Sequence, residues 1–146
     1  MENLLIYDGL CGFCNRSIRW LLRHDKFDRL RFAPQQSVLA ENILACHGID
    51  RQAMPDSNSV YLVVHINSPD ESLLLRSDVT VHALLLLGGV WKALGLCLQI
   101  IPRSLRDWVY TLIERNRFRI AGRYESCPLP TKEERAKFVG LTGSSV

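Results

Sequence analysis

The alternation of apolar and polar positions divides the first part of the chain into two strands and a helix. The run 4–7 is short and wholly apolar, which predicts a buried strand. Residues 14–24 follow a helical period, with apolar residues on one side and arginines on the other. A second apolar run, 30–33, stops at Pro34. A strand, a helix and a strand in this order predict a βαβ unit, whose two strands are parallel.

The next part of the pattern predicts a second helix and a β-hairpin. Ser37 is placed to cap a helix that runs through Cys46, and residues 49–59 form a polar loop. The run VYLVVHI, which begins at Val60, is separated from SLLLR by the turn NSPDE. Two extended runs joined by so short a turn must pair antiparallel.

The longest apolar tract, residues 79–101, has the length of a membrane span, since about 20 residues suffice. His82, Lys92 and Gln99 interrupt it, and a lysine at the bilayer centre costs about 3 kcal/mol. Two packed helices broken near Gly88-Gly89 are therefore the preferred interpretation. A membrane-facing role stays open as an alternative.

A further amphipathic helix is predicted after Pro102, which ends the apolar tract. Ser104 and Asp107 form a weak variant of the capping box at its start. The apolar residues of this helix follow one stripe: Leu105, Trp108, Val109, Leu112 and Ile113.

The resulting order is β-α-β-α-β-β-α with extra helices behind it. This is the core order of the thioredoxin-like α/β fold, which carries a C-x-x-C motif at its first strand-to-helix junction. In this chain Cys11 and Cys14 stand at that junction. A length of 146 residues suits one domain. We therefore expect a single thioredoxin-like domain over 1–146, with its core at about 1–90 and a C-terminal helical extension at about 91–146.

Composition indicates a globular protein whose cysteines are not needed as structural staples. Hydrophobic residues make up 47% of the chain and charged residues 23%. The five cysteines are spaced irregularly, unlike a secreted disulfide framework, and the start MENLLIYDG lacks the basic region of a signal peptide. We expect a reducing, cytoplasmic compartment, where a C-x-x-C motif is more often catalytic or metal-binding than a permanent bridge.

Positive charge is concentrated in one segment of the chain. The net charge is +3, and residues 103–123 hold six arginines against two carboxylates, a local net charge of +4. This segment could attract an anionic partner, but the solvated face of a helix is the preferred explanation. Its arginines alternate with Phe118 and Tyr124, as on nucleic-acid-binding surfaces. No nucleic-acid-binding module accompanies them, so no nucleic-acid partner is expected.

The two cysteines of C-x-x-C suit redox chemistry. At a helix N-terminus, unpaired N–H groups and the helix dipole stabilise a thiolate, and the pKa of a thiol falls there from about 8.5 to between about 3.5 and 7.5. Cys11, at the start of the helix, is predicted to be the nucleophile that attacks a substrate disulfide. Cys14, one turn later on the core side, is predicted to resolve the mixed disulfide.

Two further residues are auxiliary candidates for this site. Asp8, three residues before Cys11, is either a proton acceptor for the resolving thiol or part of an Asx turn. Cys127 stands in the polar turn SCPLP, where it is either a third redox thiol, a contact near the site, or without a role. Cys46 and Cys97 lie in apolar surroundings and are expected to be buried packing residues. The four histidines show no spacing typical of a catalytic set.

A metal site is the chemical alternative for the same cysteines. A structural zinc needs four ligands, and the adjacent pair Cys46-His47 supplies a poor second half. An iron–sulfur cluster shared between two subunits needs only Cys11 and Cys14 from each chain. No metal and no cofactor is assigned to the site.

Several segments together resemble the DCC family of predicted thiol-disulfide oxidoreductases, which is named for the pattern D-x-x-C-x-x-C. The pattern is Asp8, Cys11 and Cys14 here, within YDGLCGFCNRSIRWLLRHDKFDRLRFAPQQS. The resemblance continues through RSD at 76–78, LGGVWKALG, IIPRSLRDWVY, ERNRFRIAGRYESCPLP and KEERAKFVG. It covers nearly the whole chain, and the tail N-R-F-R-x-x-G-R…C-x-L-P makes it specific.

The resemblance implies a thioredoxin-like fold and a thiol-disulfide role for Cys11 and Cys14, with Cys127 at the C-terminal cysteine position of the family. The chain departs from thioredoxin itself at two places. The residues between the cysteines are Gly-Phe instead of Gly-Pro. No proline directly precedes the VYLVV strand, where thioredoxins place a cis-proline that shapes the substrate groove, because Asn58-Ser59 occupy that junction.

The leading hypothesis is a cytoplasmic thiol-disulfide oxidoreductase. Its partner is expected to be a protein or a small molecule that carries a thiol or a disulfide. The rival hypothesis is a non-catalytic thioredoxin-like module that binds a protein through the same surface.

Overall fold

The elements of the fold follow the order that the sequence predicts. The computed structural model describes residues 3–8, 12–35, 37–49, 60–66, 68–75, 77–122 and 137–138. In this part of the chain the strands are β1 (Asn3–Tyr7), β2 (Leu30–Pro34), β3 (Tyr61–Val64) and β4 (Ser72–Leu75). The helices are α1 (Gly12–His24), α2 (Val38–Cys46), α3 (Ser77–Leu87), α4 (Gly89–Ile100) and α5 (Arg103–Ala121).

The four strands form one mixed sheet in the order β2-β1-β3-β4. β1 pairs parallel with β2, which places Leu5 beside Phe32. β1 pairs antiparallel with β3, and β3 pairs antiparallel with β4, as in the predicted hairpin. The βαβ unit and the hairpin therefore meet through β1, and the predicted thioredoxin-like α/β fold class is confirmed.

Helices cover both faces of the sheet, so β1 and β3 are buried along their whole length. Side chains alternate between the two faces of a strand. Leu5 of β1 accordingly belongs to the apolar cluster beneath α1 and α3, whereas Leu4 and Ile6 belong to the cluster beneath α2. Burial on both faces explains why the two strands are continuous apolar runs with no polar alternation.

The long apolar tract is two helices, as predicted. α3 ends at Leu87. Gly88 and Gly89 then adopt φ angles of 73° and 58°, which residues other than glycine rarely adopt. The break lets α4 fold back against α3. Among the helices that the structure describes, none is both long enough and apolar enough for a membrane span.

The apolar stripe of α5 faces outward, which the amphipathic pattern does not reveal. Leu105, Trp108, Val109, Leu112 and Ile113 are 38–64% exposed. α5 is held to the rest of the fold by polar side chains of the neighbouring face: Arg106 Nη1 lies 3.4 Å from Asp78 Oδ1, and Tyr110 Oη accepts a hydrogen bond from Val60 N at 3.3 Å.

The predicted capping box at the start of α5 is wrong. The helix already begins at Arg103, which places Ser104 inside its first turn. The backbone N–H groups of Leu105 and Arg106 both donate to the carbonyl of Pro102 at 3.1 Å. Pro102 therefore supplies the first acceptor of the helix.

The expectation that Cys46 and Cys97 are buried is also wrong, because both are exposed, free thiols. The spacing of Leu39, Ile43 and Cys46 predicts that these residues form the core face of α2, but the helix buries Ala40 and Leu44, one residue further on, and Cys46 turns outward. In α4 the buried position is Gly95. Cys97 follows it by two residues, or about 200° around the helix, and lies on the opposite side.

The described residues of the tail return to the sheet. Lys137 Nζ lies 3.3 Å from Asp25 Oδ2, a carboxylate that has no solvent exposure and also accepts the N–H of Arg29 and Leu30. Phe138 forms a parallel bridge with Phe32 of β2, and its ring contacts those of Phe32 and Tyr7. The ion pair and the aromatic contacts hold residues 137–138 against the βαβ unit.

The burial pattern predicts different costs for one substitution at two leucines. Leu62→Ala removes a side chain with 0% exposure and should lower the free energy of unfolding by about 2–5 kcal/mol. Leu112→Ala, where exposure is 50%, should cost less than about 1 kcal/mol. Urea unfolding followed by circular dichroism measures both. Equal losses would contradict the outward orientation of the α5 stripe.

Candidate functional site

The predicted site lies where β1 leads into α1. Asp8 directly follows β1 and is 3% exposed, so the chain is still in the core at this point. α1 begins at Gly12. Cys11, the predicted nucleophile, lies outside the described residues, and so does Cys127. The roles of these two cysteines stay predictions.

Cys14 lies in the first turn of α1 and is 4% exposed. It belongs to the apolar cluster that includes Ile18 and Leu21, which follow it at one and two turns on the same side of the helix. This orientation comes from the amphipathic pattern of α1, whose arginines at 16, 19 and 23 are exposed. The Cys14 sulfur therefore faces the interior of the fold and not bulk water.

The N-terminus of α1 is joined to the C-terminus of α5. The N–H of Gly12 donates to the carbonyl of Gly122 at 3.1 Å. Gly122 follows α5 with a φ angle of 78°, the left-handed conformation that ends many helices and favours glycine. The bond satisfies one of the N–H groups that a helix start leaves unpaired. The first turn of α1 contains no acidic residue that would oppose an anion.

A cavity of about 590 Å³ adjoins Cys14. It lies between α1, α3, α5 and one face of the sheet, and its volume is within the usual range of about 300–1,000 Å³ for small-molecule sites. Besides Cys14, the buried apolar part of its wall consists of Leu5, Ile18, Leu21, Val79, Ala83 and Leu84. The wall also includes Tyr7 and Ser17, so its buried part is mainly, but not wholly, apolar.

Polar side chains line the same cavity near the surface. Arg16 of α1 and Thr80 of α3 are exposed, and Glu114 of α5 is half-buried. Tyr110 is also in the wall, where its hydroxyl accepts the hydrogen bond of Val60. Sequence reasoning missed this cavity, because it depends on how α5 packs against α1. The signal available was the D-x-x-C-x-x-C motif at one of its edges.

The histidines serve other contacts. His47 Nε2 lies 2.8 Å from Glu71 Oε1, and the His24 ring stacks on Trp20. Burial, and to a smaller extent the charge of His65, lower the pKa of His82 below its usual range. No histidine is among the described residues that line the cavity. In the described parts of the chain, no three His, Cys, Asp or Glu side chains converge as metal ligands would.

Burial predicts that the described cysteines react at different rates. In the folded protein, with a phosphine reductant present, a maleimide that carries a polyethylene glycol chain too large for the cavity should modify the exposed Cys46 and Cys97 at least roughly tenfold faster than Cys14, because such a reagent reaches a buried thiol only through local opening. Peptide mass spectrometry over time measures each rate, and unfolding in urea should remove the difference. Equally fast labelling of Cys14 in the folded protein would contradict its placement.

Comparison with known proteins gives two kinds of match. A family model described as DCC1-like thiol-disulfide oxidoreductase matches residues 5–123. A chloroplastic DCC family protein of Arabidopsis thaliana is 28% identical over 126 residues, which cover 86% of this chain and 69% of that protein. The uncharacterized protein YuxK of Bacillus subtilis is 24% identical over 138 residues, or 94% of each chain. No solved structure gives a significant match.

Proposed function

Because the chain belongs to the DCC1-like thiol-disulfide oxidoreductase family, we propose that it exchanges thiols and disulfides through its CGFC motif. Cys11 is the nucleophile and Cys14 the resolving thiol. The observation that carries the proposal is the position of Cys14, which lies in the first turn of α1, is buried, and forms part of a cavity wall. A purely structural cysteine needs no cavity beside it.

The reaction uses the two cysteines in sequence. The Cys11 thiolate attacks one sulfur of a substrate disulfide, and the other substrate sulfur leaves as a thiolate. Cys14 then attacks the Cys11 sulfur, forming the Cys11–Cys14 disulfide and releasing the second substrate thiolate. The two protons of the cysteine pair end on the two released thiols. The substrate gains two electrons, and the pair is oxidised by the same amount.

The start of α1 supports the anionic intermediates of this sequence. The helix dipole favours a thiolate at its N-terminus, and no carboxylate of the first turn opposes it. Arg16 adds a positive charge two residues beyond Cys14. Since only the thiolate attacks, these features raise the reactive fraction of the pair.

Asp8 and Cys127 complete the proposed site as auxiliary residues. Asp8 is buried at the end of β1, close along the chain to the cysteine pair, and its role is to accept the proton of the resolving thiol. Cys127 follows Gly122 by five residues, and the carbonyl of Gly122 holds the start of α1. Five residues span at most about 18 Å, and this spacing permits the role of a third redox thiol that we propose for Cys127.

The exposure of two cysteines bears on the cellular compartment of the reaction. Free thiols at the surface, as at Cys46 and Cys97, suit a reducing compartment, and we propose the cytoplasm. The partner is a protein or small molecule with a thiol or disulfide. The Arabidopsis relative, in contrast, is described as chloroplastic.

Trapping with glutathione disulfide tests the order of the two cysteines. In Cys14→Ser, Cys11 should attack glutathione disulfide and remain as a mixed disulfide, because no resolving thiol is present. Cys11→Ser should accumulate little adduct at the buried Cys14, and Cys97→Ser is the matched control with an intact pair. Peptide mass spectrometry identifies the modified residue. Faster modification of Cys14 in Cys11→Ser than of Cys11 in Cys14→Ser would reverse the assignment.

The Asp8 carboxylate is expected to speed resolution without affecting the first attack. Asp8→Asn should slow the decay of the Cys11–glutathione adduct at least about tenfold, since positioned acid–base groups contribute about 10²–10⁴-fold. Asp70→Asn, at an exposed turn of the hairpin, is the control. Rapid quenching followed by mass spectrometry separates formation from decay. An unchanged decay rate would leave Asp8 with its alternative role in an Asx turn.

A further inference from the structure

The proposed function leaves the substrate class open, and the cavity beside Cys14 constrains it. For resolution to occur, Cys14 must reach the sulfur of Cys11 while the substrate group is still attached there. In this exchange the three sulfurs lie in line, so the substrate sulfur is about two S–S bond lengths, or about 4 Å, from the Cys14 sulfur. At Cys14 the structure has a cavity of about 590 Å³. The substrate that fits this cavity is the one whose mixed disulfide is resolved.

The wall of the cavity favours an apolar group over a peptide main chain. Ile18, Leu21, Val79, Ala83 and Leu84 of this wall are each at most 8% exposed and carry no polar side-chain atom, and the hydroxyls of Tyr7 and Ser17 are the polar groups among them. A peptide group placed there without hydrogen bonds would lose the hydrogen bonds that it makes with water. An aliphatic or aromatic group gains free energy in proportion to the apolar area removed from water.

The sheet offers no edge to a peptide at this cavity. Leu5 and Tyr7 of the wall belong to β1, which lies between β2 and β3, and β3 itself lies between β1 and β4. The N–H of Val60, just before β3, already donates to Tyr110 Oη at 3.3 Å. Strand addition, the usual way of holding an extended peptide against a sheet, requires an unpaired edge. The strands in this wall have none.

The outer part of the cavity suits a polar end. Arg16, Thr80 and Glu114 line it and are exposed or half-buried, so they offer hydrogen-bond donors and acceptors beside solvent. Both signs of charge are present, which gives no preference for an anion or a cation. The matching molecule is amphipathic, with an apolar body inward and a neutral polar end outward.

We propose that the substrate is a low-molecular-weight disulfide with an apolar half, and that this half binds in the cavity beside Cys14. The Cys11 thiolate attacks the sulfur that bears the apolar group, and the polar half leaves as a thiolate. Cys14 then attacks the Cys11 sulfur, and the apolar thiolate leaves the cavity. Both released thiolates take up the protons of the pair, so no further reactant is needed.

Two probes that differ only in one apolar group test the proposal. Benzyl hydroxyethyl disulfide carries an aromatic half, whereas bis(hydroxyethyl) disulfide does not, and both release alkyl thiols. The readout is the ratio of the second-order rate constants for oxidation of the Cys11–Cys14 pair by the two probes. Wild type should favour the benzyl probe, and the ratio should fall roughly tenfold when the cavity is filled.

Two substitutions fill the cavity from different depths. Ala83→Leu adds volume at the buried wall, and Thr80→Trp adds it at the rim. Val90→Trp, at a position 77% exposed on α4 and absent from the wall, is the matched control. Circular dichroism and thermal unfolding show which variants fold. If one of the two filled variants does not fold, the other still tests the proposal. An unchanged ratio in the folded filled variants would overturn the proposal.

A non-reactive ligand separates this proposal from the proposed function. Benzyl hydroxyethyl sulfide lacks the disulfide, so its binding to a Cys11→Ser/Cys14→Ser double variant, measured by isothermal titration calorimetry, reports on the cavity alone. Binding that Ala83→Leu weakens supports the proposal, and absence of binding overturns it while exchange chemistry stands. A wild type that reacts with neither disulfide probe overturns the proposed function, and the substrate assignment with it.

Discussion

The structure depends on the position of β1, which is hydrogen-bonded on both sides and buried on both faces. A strand in the middle of a sheet cannot slip by one residue without moving its apolar side chains to the wrong face. The position of its end at Tyr7 is therefore fixed, and α1 begins at Gly12, only a few residues later along the chain. The motif D-x-x-C-x-x-C runs from the residue after β1 into the first turn of α1. The hydrophobic core thus determines where the proposed chemistry takes place.

Helices that lie outside the βαβ unit and outside the β-hairpin complete the site next to this junction. α5 closes one side of the cavity, and Gly122 at its end contacts Gly12 at the start of α1. α3 supplies the opposite wall. In a βαβ unit without these helices, Cys14 would be exposed to solvent. In this protein, residues more than 60 positions away decide what reaches its sulfur.

The core of the fold could be predicted because its signals are local. A change from strand to helical period, followed by a second strand, defines the βαβ unit, and Gly88-Gly89 marks the break in the apolar tract. The orientation of α5 could not be predicted, because an apolar stripe shows only that a helix has two faces. Its attachment through Arg106 and Tyr110 rests on long-range polar contacts. Cys46 was misplaced because a rotation of one residue moves a side chain by about 100°.

The proposed chemistry requires that Cys11 and Cys14 form a reversible redox pair. The most direct measurement is the reduction potential of the whole chain, obtained by equilibration in glutathione buffers of defined potential and by mass spectrometry of the peptide that contains both cysteines. A reversible pair should give a single two-electron transition between about −300 and −120 mV, the range of known exchangers. A chain that forms no Cys11–Cys14 disulfide in the most oxidising buffer would contradict it.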